Sequence, residues 1–295
     1  MEYAEKSFIN NSNSKFENKN IIITGSSGSI GSEVLSRFLK NGSKVVAFYN
    51  KNIPNNPELS TYKISNKFFP IQLDFEKMPK RITDKFKEAM LFLGGVLDIL
   101  IFCHGKFFPG DFHSINTSNF DRNIYLNVRP NFHILSLATP FLKITKGNVV
   151  MISSMETKIV ERGDFLHALN KSMINSLVQN SALELASFGV RINAVAPNFV
   201  DNEFRTEVMG DGNARYLKQM TNYNLLNKNK LVSPADVADV IMFLASSEAN
   251  FITGEIISID CGFELNHDLS FMQKDYIKNN IMEEEEEENI KLELK

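Results

Sequence analysis

Short apolar runs alternate with longer amphipathic segments along most of this chain. Consecutive apolar residues are typical of strands that are buried on both faces of a parallel sheet. Such runs occur at residues 21–23, 45–48, 71–73, 99–102, 149–152, 192–195 and 256–259. Between the runs, apolar residues recur at three- and four-residue spacing, which predicts helices. These helical segments span about residues 30–41, 78–93, 117–142, 164–188 and 233–246.

The regular alternation of strand and helix predicts an α/β fold built from parallel βαβ units. We expect a Rossmann-like, doubly wound parallel sheet of seven strands, with helices on both faces, in a single domain. The predicted boundaries are a flexible N-terminal segment at 1–18, the domain at 19–264 and an acidic C-terminal extension at 265–295. The extension contains six consecutive glutamates at 283–288, which are typical of a solvated tail; an interaction segment for a basic partner is the alternative.

Composition narrows the class of protein. Of the 295 residues, 43% are hydrophobic and 23% are charged, which excludes a mainly disordered or collagen-like chain. The sequence has neither an apolar stretch long enough for a membrane helix nor a clustered basic stripe, so we expect no membrane and no nucleic-acid partner. The polar N-terminal residues predict no secretory signal, and the expected location is cytoplasmic. The distant Cys103 and Cys261 predict neither a disulfide framework nor a zinc site.

The first predicted strand runs into a glycine-rich turn and then into a helix. Gly25, Gly28 and Gly31 recur along that turn, and Ser27 and Ile30 lie within it. Glycines allow a tight turn at this place and let backbone N–H groups approach a pyrophosphate at the helix N-terminus. The sequence therefore predicts a dinucleotide site, with a turn that binds no ligand as the alternative.

The residues after the second predicted strand bear on the choice between NAD and NADP. A carboxylate at this place binds the ribose hydroxyls and disfavours a 2′-phosphate. The stretch 48–52 has no acid and contains Tyr49 and Lys51. Because Lys51 can pair with a phosphate, the sequence favours NADP over NAD, and an ordinary solvated lysine is the alternative.

Further landmarks follow in order from the third predicted strand to the end of the domain. They are Asp74, the stretch 97–100, Asn127, the strand 147–154 that ends in Ser154, Lys171, and the stretches 191–197, 234–238, 252–254 and 260–262. Together with the glycine turn, these landmarks resemble the short-chain dehydrogenase/reductase family in its compact single-domain branch. The resemblance covers about residues 18–264.

That resemblance implies an NAD(P)-dependent oxidoreductase that acts on a small carbonyl or alcohol. It implies that Asp74 lies beside the adenine ring, that Ser154 polarises the substrate oxygen and that Asn127 holds a water. Lys171 would hold the nicotinamide ribose and supply a positive charge. The family's catalytic tyrosine should lie four residues before Lys171, and His167 occupies that position. Further residues implied at the cofactor site are Cys103, Gly105, Pro197 and Val200.

His167 is the main departure from the family pattern. An imidazole can exchange a proton near neutral pH, but it is shorter than a phenol, and the neighbouring Lys171 cation favours its neutral form. A metal or thiol site formed by Cys103, His104 and His167 is an alternative, although adjacent residues of a strand face opposite sides. The other departures are Ser29 for a glycine, Cys103 and His104 for Asn-Ala, Asn198 for a glycine and Asn202 for a threonine.

These observations leave two main hypotheses about function. The first is an active oxidoreductase in which His167 replaces the tyrosine. The second is a catalytically impaired protein of the same fold that acts as a nucleotide-binding or structural subunit. A different reaction, such as dehydration or epimerisation, is a third hypothesis.

The resemblance also implies a homodimer or homotetramer, assembled through the helices at 117–142 and 164–188. It implies that the segment 198–230 covers the substrate. Apolar side chains of that segment either line a pocket or simply pack: Phe199, Phe204, Met209, Tyr216, Met220 and Tyr223.

Overall fold

The computed structural model describes residues 14–54, 58–77, 79–201 and 220–266. Its seven strands form one parallel sheet in the order β3-β2-β1-β4-β5-β6-β7. The predicted doubly wound α/β fold is therefore confirmed. The strands are β1 Asn20–Thr24, β2 Lys44–Tyr49, β3 Phe68–Gln72, β4 Ile99–Phe102, β5 Asn148–Ile152, β6 Arg191–Pro197 and β7 Ile256–Ile259.

Helices cover both faces of the sheet because each strand alternates its side chains between two apolar clusters. The helices are α1 Ser29–Lys40, α2 Leu59–Ile64, α3 Ile82–Phe92, α4 Thr117–Asn127, α5 Arg129–Thr145, α6 Phe165–Leu185 and α7 Pro234–Ala245. Ile22 and Phe48 belong to the cluster beneath α3, α5 and α6, whereas Ile21 and Ile23 belong to the cluster beneath α1 and α7. A bilayer-spanning helix is absent from these described ranges.

The prediction of a single helix over residues 117–142 was wrong, because α4 ends at Asn127 and α5 begins at Arg129. Pro130 has no N–H to offer the carbonyl four residues earlier, so the hydrogen-bond ladder is interrupted there. The Asn131 side chain donates to the Asn127 carbonyl oxygen at 2.6 Å and satisfies an acceptor at the break. The break fixes the position of Asn127 at the end of a helix.

Other differences from the predictions concern β3, α3 and α2. Strand β3 begins at Phe68 rather than at residue 71, and Leu73 lies just beyond it. The early part was missed because Pro70 interrupts the apolar pattern, and proline is tolerated here because β3 is an edge strand. Helix α3 begins at Ile82, after the 3₁₀ turn Pro79–Arg81. Helix α2 was not predicted, since its six residues bury only Leu59 and show no apolar period.

Residues before the predicted start of the domain also pack against it. Phe16 is 4% exposed and belongs to the cluster beneath α1 and α7. Its ring meets that of Phe38 edge to face, with 5.0 Å between centroids. The described fold therefore includes residues 14–18.

The strand order reverses between β1 and β4, which flank each other at the centre of the sheet. In doubly wound sheets, ligands bind at the carboxyl ends of the strands near such a reversal. Here Thr24, the last residue of β1, pairs with Phe48 and Phe102 near the ends of the adjacent strands. The segments that follow these strands therefore meet at one edge of the sheet.

Candidate active site

The glycine turn after β1 has two positions that only glycine fits. Gly25 has a φ of +66°, and a Cβ built there would lie 2.5 Å from the backbone nitrogen of His104. A Cβ on Gly31 would overlap the carbonyl oxygen of Gly25. Gly28 is different, since its Cβ would make an ordinary contact at 3.5 Å with that same oxygen. Gly25 and Gly31 thus bring β1, β4 and the start of α1 into close contact.

The N-terminus of α1 is open toward solvent. Gly28 is its N-cap and provides no side-chain cap, and Ser27, Gly28 and Ser29 are exposed. The first turn of α1, which lies wholly within the described residues, carries no acidic side chain. Uncapped N–H groups and the positive end of the helix dipole favour an anion. The half-buried Ile30 packs into the core beneath the turn. These features fit the pyrophosphate of a dinucleotide.

The residues predicted to contact the rest of a dinucleotide follow β2 and β3. Tyr49 ends β2 and is half-buried, and Lys51 is exposed in the loop that follows. The described part of that loop, residues 50–54, contains no carboxylate. Asp74 lies beyond β3, where its Oδ1 accepts from the backbone N–H of Glu76 at 2.9 Å and of Lys77 at 3.2 Å. The carboxylate therefore shapes its own loop, and its role at adenine stays a prediction.

Cys103 and His104 face opposite sides of the sheet, as predicted. Cys103 packs with the cluster beneath α1 and α7. Burial raises the pKa of its thiol to about 12, against the opposing effect of the Lys171 charge, so the thiol is protonated at neutral pH. Gly105, the third residue of this segment, is exposed.

The His104 imidazole is held inside the protein by two side chains. Its Nδ1 lies 2.7 Å from Thr24 Oγ1 and its Nε2 lies 3.2 Å from Asn131 Nδ2. Burial, aided by the Lys171 charge, lowers the pKa of His104 to about 3, so the ring is neutral. Because the Asn131 amide nitrogen can only donate, Nε2 accepts and Nδ1 donates to Thr24. Both ring nitrogens are therefore engaged.

The alternative of a metal or thiol site finds no support in this arrangement. His104 uses both nitrogens in hydrogen bonds, and the Cys103 thiol is protonated. Within the described residues, no three His, Cys, Asp or Glu side chains are grouped as a metal site would require. His133 is half-buried and near Thr83, and His113 is exposed, whereas His267 lies outside the described residues.

Asn127 belongs to a buried network of asparagine amides. Its Oδ1 accepts from Lys106 N at 2.7 Å, and its Nδ2 donates to Lys106 O and to Asn123 Oδ1, both at 2.9 Å. Asn123 and Asn170 exchange two further hydrogen bonds, of 2.9 and 2.6 Å. The network connects α4 to α6 directly beside Lys171. The sequence analysis missed Asn123, Asn131 and Asn170, although the four-residue spacing of 123, 127 and 131 is a signal for one helical face.

Lys171 lies at the centre of the site and shares a small cavity with Asn127. Its Nζ donates to the Ile152 carbonyl oxygen at 2.8 Å. Burial lowers the pKa of Lys171 to about 8, against the opposing effect of the Glu156 charge. The cavity measures about 10 Å³, about the size of one water, and His104, Asn131 and Asn170 also line it. Asn127 and Lys171 thus line the same small cavity.

Ser154 and His167 are connected through a residue that the sequence analysis missed. Ser154 follows β5, is buried, and its Oγ accepts from the Glu156 N–H at 3.3 Å. His167 lies on α6 one turn before Lys171, and its Nε2 is 3.6 Å from Glu156 Oε2. The Phe107 ring contacts the imidazole edge to face, with 5.4 Å between the ring centroids. A signal for Glu156 was available, since it is an acid only two residues beyond the predicted catalytic serine.

The segment after β6 completes the described part of the site. Pro197 ends β6 and is buried. The backbone N–H of Asn198 donates to Ile259 O at 3.0 Å, and its buried Oδ1 has no hydrogen-bond partner among the described residues. Val200 forms an isolated parallel β-bridge with Val232. Phe199 and Met220 pack with Met155 and Phe263 in a separate buried cluster, and Tyr223 packs against it. Asn202, Phe204, Met209 and Tyr216 lie outside the described residues.

Fold and site together define a doubly wound α/β protein of the nucleotide-binding class, with a glycine turn at the reversal of its strand order. A family model described as enoyl-(acyl carrier protein) reductase matches residues 25–264. The chain belongs to the short-chain dehydrogenase/reductase family. The resemblance drawn from the sequence is thereby confirmed.

Relatives cover nearly all of this domain. Short-chain dehydrogenase reductase 3a of Arabidopsis thaliana is 26% identical over 255 residues, which is 85% of this chain and 97% of that protein. The 7alpha-hydroxysteroid dehydrogenase of Bacteroides fragilis is 27% identical over 273 residues, or 86% and 97% of the two chains. The ligand-free aldohexose dehydrogenase of Thermoplasma acidophilum superposes with a TM-score of 0.75 at 24% identity, covering 85% of this chain and 96% of that one, and supports the fold. The chain is therefore a member of an oxidoreductase family.

Proposed function

We propose that this protein is an NAD(P)-dependent oxidoreductase that interconverts a small carbonyl compound and the corresponding alcohol. The overall reaction consumes a carbonyl, NAD(P)H and one proton, and yields an alcohol and NAD(P)⁺. The observation that carries the proposal is the grouping of Ser154, His167 and Lys171 at the same sheet edge as the glycine turn, with Asn127 on the cavity beside Lys171.

The dinucleotide would be held by residues along the carboxyl ends of the strands. Gly25, Gly31 and the open end of α1 suit its pyrophosphate. When bound, the nicotinamide would supply or accept the hydride. We favour NADP, since Lys51 follows β2 where no carboxylate opposes a 2′-phosphate. The other residues we assign to this site are Ser27, Gly28, Ile30, Tyr49, Asp74, Cys103, Gly105, Lys171, Pro197 and Val200.

Each catalytic side chain has a distinct task. The Ser154 hydroxyl would donate a hydrogen bond to the substrate oxygen, and His167 would exchange a proton with that same oxygen. Lys171, which carries a proton at neutral pH because its pKa is about 8, would place a positive charge beside the reacting oxygen. Asn127 would hold a water in the cavity that it shares with Lys171. Together these groups stabilise developing negative charge on oxygen.

Calorimetry with NADPH, NADP, NADH and NAD is the first test. We expect micromolar binding of at least one pair, tighter for the phosphorylated pair. The wild-type protein and the His167→Ala and His167→Tyr variants are then compared with a panel of small carbonyls and alcohols. Loss of turnover in His167→Ala, with unchanged nucleotide binding, supports the role of His167. No nucleotide binding at millimolar concentration would refute the oxidoreductase proposal.

The alternative function is a catalytically impaired nucleotide-binding or structural subunit. It is favoured by the shorter reach of His167 and by the His104 imidazole, which occupies the place of a small residue in the family pattern and is locked to Thr24 and Asn131. The two functions differ in the outcome for His167→Tyr. If the wild-type protein binds nucleotide without turnover and His167→Tyr gains turnover, the function as an impaired subunit is supported.

We further propose that the protein assembles as a homodimer or homotetramer through α4, α5 and α6. Large apolar side chains on these helices face solvent in the single chain: Phe120 is 39% exposed, Phe132 63% and Leu183 78%. Light scattering of the purified protein tests this, and Phe132→Lys with Leu183→Lys should shift the protein to monomer. A wild-type monomer at micromolar concentration would contradict it.

A further inference from the structure

Glu156 is a buried carboxylate in the middle of the candidate site, and none of the roles proposed above uses it. It lies on the 3₁₀ turn Met155–Thr157, two residues beyond Ser154, and its side chain is only 6% exposed. An ionised carboxylate in such a place is costly unless nearby positive charge compensates it. The structure supplies that charge on α6.

Two basic side chains on one face of α6 share this carboxylate. His167 and Lys171 are separated by one helical turn and therefore lie on the same face. The His167 Nε2 is 3.6 Å from Glu156 Oε2, and the charge of Glu156 also favours the protonated form of Lys171. At 3.6 Å the contact with His167 is within ion-pair range but is longer than a hydrogen bond. The carboxylate can thus attract an imidazolium.

The contact between Glu156 and His167 favours the protonated imidazole that a proton donor at this position requires. Lys171 alone would favour a neutral imidazole, which is a poor proton donor for reduction of a carbonyl. A carboxylate at 3.6 Å from the ring acts in the opposite direction. The Phe107 ring packs on the imidazole and limits its contact with solvent, which strengthens the effect of nearby charge.

We propose that Glu156 is a positioning residue that keeps His167 protonated and oriented as the proton donor of the site. In the reducing direction one proton leaves His167 Nε2 for the substrate oxygen and leaves a neutral imidazole; Glu156 stays ionised and transfers nothing. The catalytic consequence rests on the proposed function, because it requires His167 to act as the donor. The pairing itself does not depend on activity.

Other titratable groups lie on the segments around His167. The Cys103 thiol is protonated, and the Lys106 ammonium lies over the Phe108 ring, 5.3 Å from its centroid. Asp164 and Glu161 are further acids to consider: Asp164 is buried and precedes His167 by three residues at the start of α6, and Glu161 lies just before that helix with its Oε1 buried. The titratable groups on the surrounding segments include Glu156 from the turn after β5, Glu161 and Arg162 from the loop before α6, Asp164 and Lys171 from α6, and Cys103 and Lys106 from the segment after β4.

An NMR titration of the full chain tests the pairing without any need for turnover. The His167 imidazole resonance is assigned by its loss in His167→Gln and is followed against pH in wild type and Glu156→Gln. We expect the titration midpoint to fall by about 1 pH unit in Glu156→Gln, as for an opposite charge at this range. Glu264→Gln removes a half-buried carboxylate that pairs with Lys158 and should leave the midpoint unchanged. An unchanged midpoint in Glu156→Gln overturns the proposal.

Two further variants cover other outcomes of the titration. Asp164→Asn should lower the midpoint less than Glu156→Gln does, and a larger effect would assign the pairing to Asp164 and overturn the proposal. If Glu156→Gln does not fold, Glu156→Asp keeps the charge but withdraws it by one methylene. A midpoint below that of wild type then supports the proposal, and a wild-type midpoint in Glu156→Asp overturns it.

Kinetics separate failure of this inference from failure of the proposed function. In carbonyl reduction, kcat should decline as pH rises through the His167 midpoint, and Glu156→Gln should move that decline to lower pH by the same amount as in NMR, with nucleotide Kd unchanged. A shifted NMR midpoint in a protein without turnover would refute the proposed function and support the pairing of Glu156 with His167. Turnover with no shift in either profile would refute the pair alone.

Discussion

Replacing Asn123 with alanine should lower the free energy of unfolding substantially, because the removed amide is the partner of other buried polar groups. Asn123 is fully buried and makes four hydrogen bonds. Two join it to the Asn170 amide at 2.9 and 2.6 Å, one accepts from Asn127 Nδ2 at 2.9 Å and one reaches Leu166 O at 3.3 Å. The substitution leaves both ends of the buried Asn170 amide without this partner.

The expected magnitude follows from the groups that lose their partners. A buried polar group left unsatisfied costs about 1–3 kcal/mol, and two such groups on Asn170 imply a loss of about 3 kcal/mol in the free energy of unfolding. Asn127 Nδ2 is affected less, because it keeps its bond to Lys106 O at 2.9 Å. Asn180→Ala is the matched control, since Asn180 is exposed on the same helix α6 and bonds only to Ser176 among the described residues. We expect a loss below about 0.5 kcal/mol there.

Urea unfolding followed by circular dichroism measures both losses, with equal m-values as the check that midpoints can be compared. The double variant Asn123→Ala with Asn170→Ala provides a sharper test. Because it removes both members of the pair, its loss should be about 1–2 kcal/mol smaller than the sum of the two single losses. A loss below about 1 kcal/mol in Asn123→Ala, or simple additivity in the double variant, would refute the reasoning.

Three other predictions concern the nucleotide site and the lysine at its centre. Gly31→Ala should weaken dinucleotide binding at least about tenfold in calorimetry, because its Cβ overlaps the Gly25 oxygen, whereas the exposed Ser29→Ala should change it less than about twofold. Lys51→Ala should weaken NADPH about three- to fivefold and NADH not at all, which corresponds to about 1 kcal/mol for an exposed charge pair; equal effects on both would contradict the 2′-phosphate contact. Burial lowers the pKa of Lys171 from 10.5 to about 8, so between these values the unfolded chain binds more protons than the folded one. The unfolding free energy of wild type relative to Lys171→Met should therefore rise with pH across that window in urea titrations, and a fall would show that Lys171 is not buried as a cation.

Much of the fold was predictable because burial leaves a local record in the sequence. Strand β4 matches its apolar run at residues 99–102, and α1 and α7 match their predicted ranges within one residue at each end. The glycine turn was recognisable because its strand and helix context lies within about a dozen residues. Boundaries failed where a residue acts through its backbone, as Pro70 in β3 and Pro130 between α4 and α5 do.

Some features of the site were beyond sequence reasoning because they depend on chemistry between distant residues. Asn123 and Asn170 are 47 positions apart, and His104 meets Thr24 across 80 positions. Each is an ordinary polar residue by itself, and only the packing of α4 against α6 or of β4 against β1 gives it a partner. Glu156 is nearer in sequence to His167, but the contact needs the turn after β5 to face α6.

The sequence by itself determined the order of the elements, the burial of the strands and the position of the glycine turn, since short-range apolar spacing encodes which faces are buried. It also predicted Asn127, Ser154, His167 and Lys171 as candidate site residues through their order along the chain. Only the tertiary structure decided how these groups are charged and held. It lowers the Lys171 pKa through burial and places the Glu156 carboxylate beside His167, because proton affinity depends on neighbours in space.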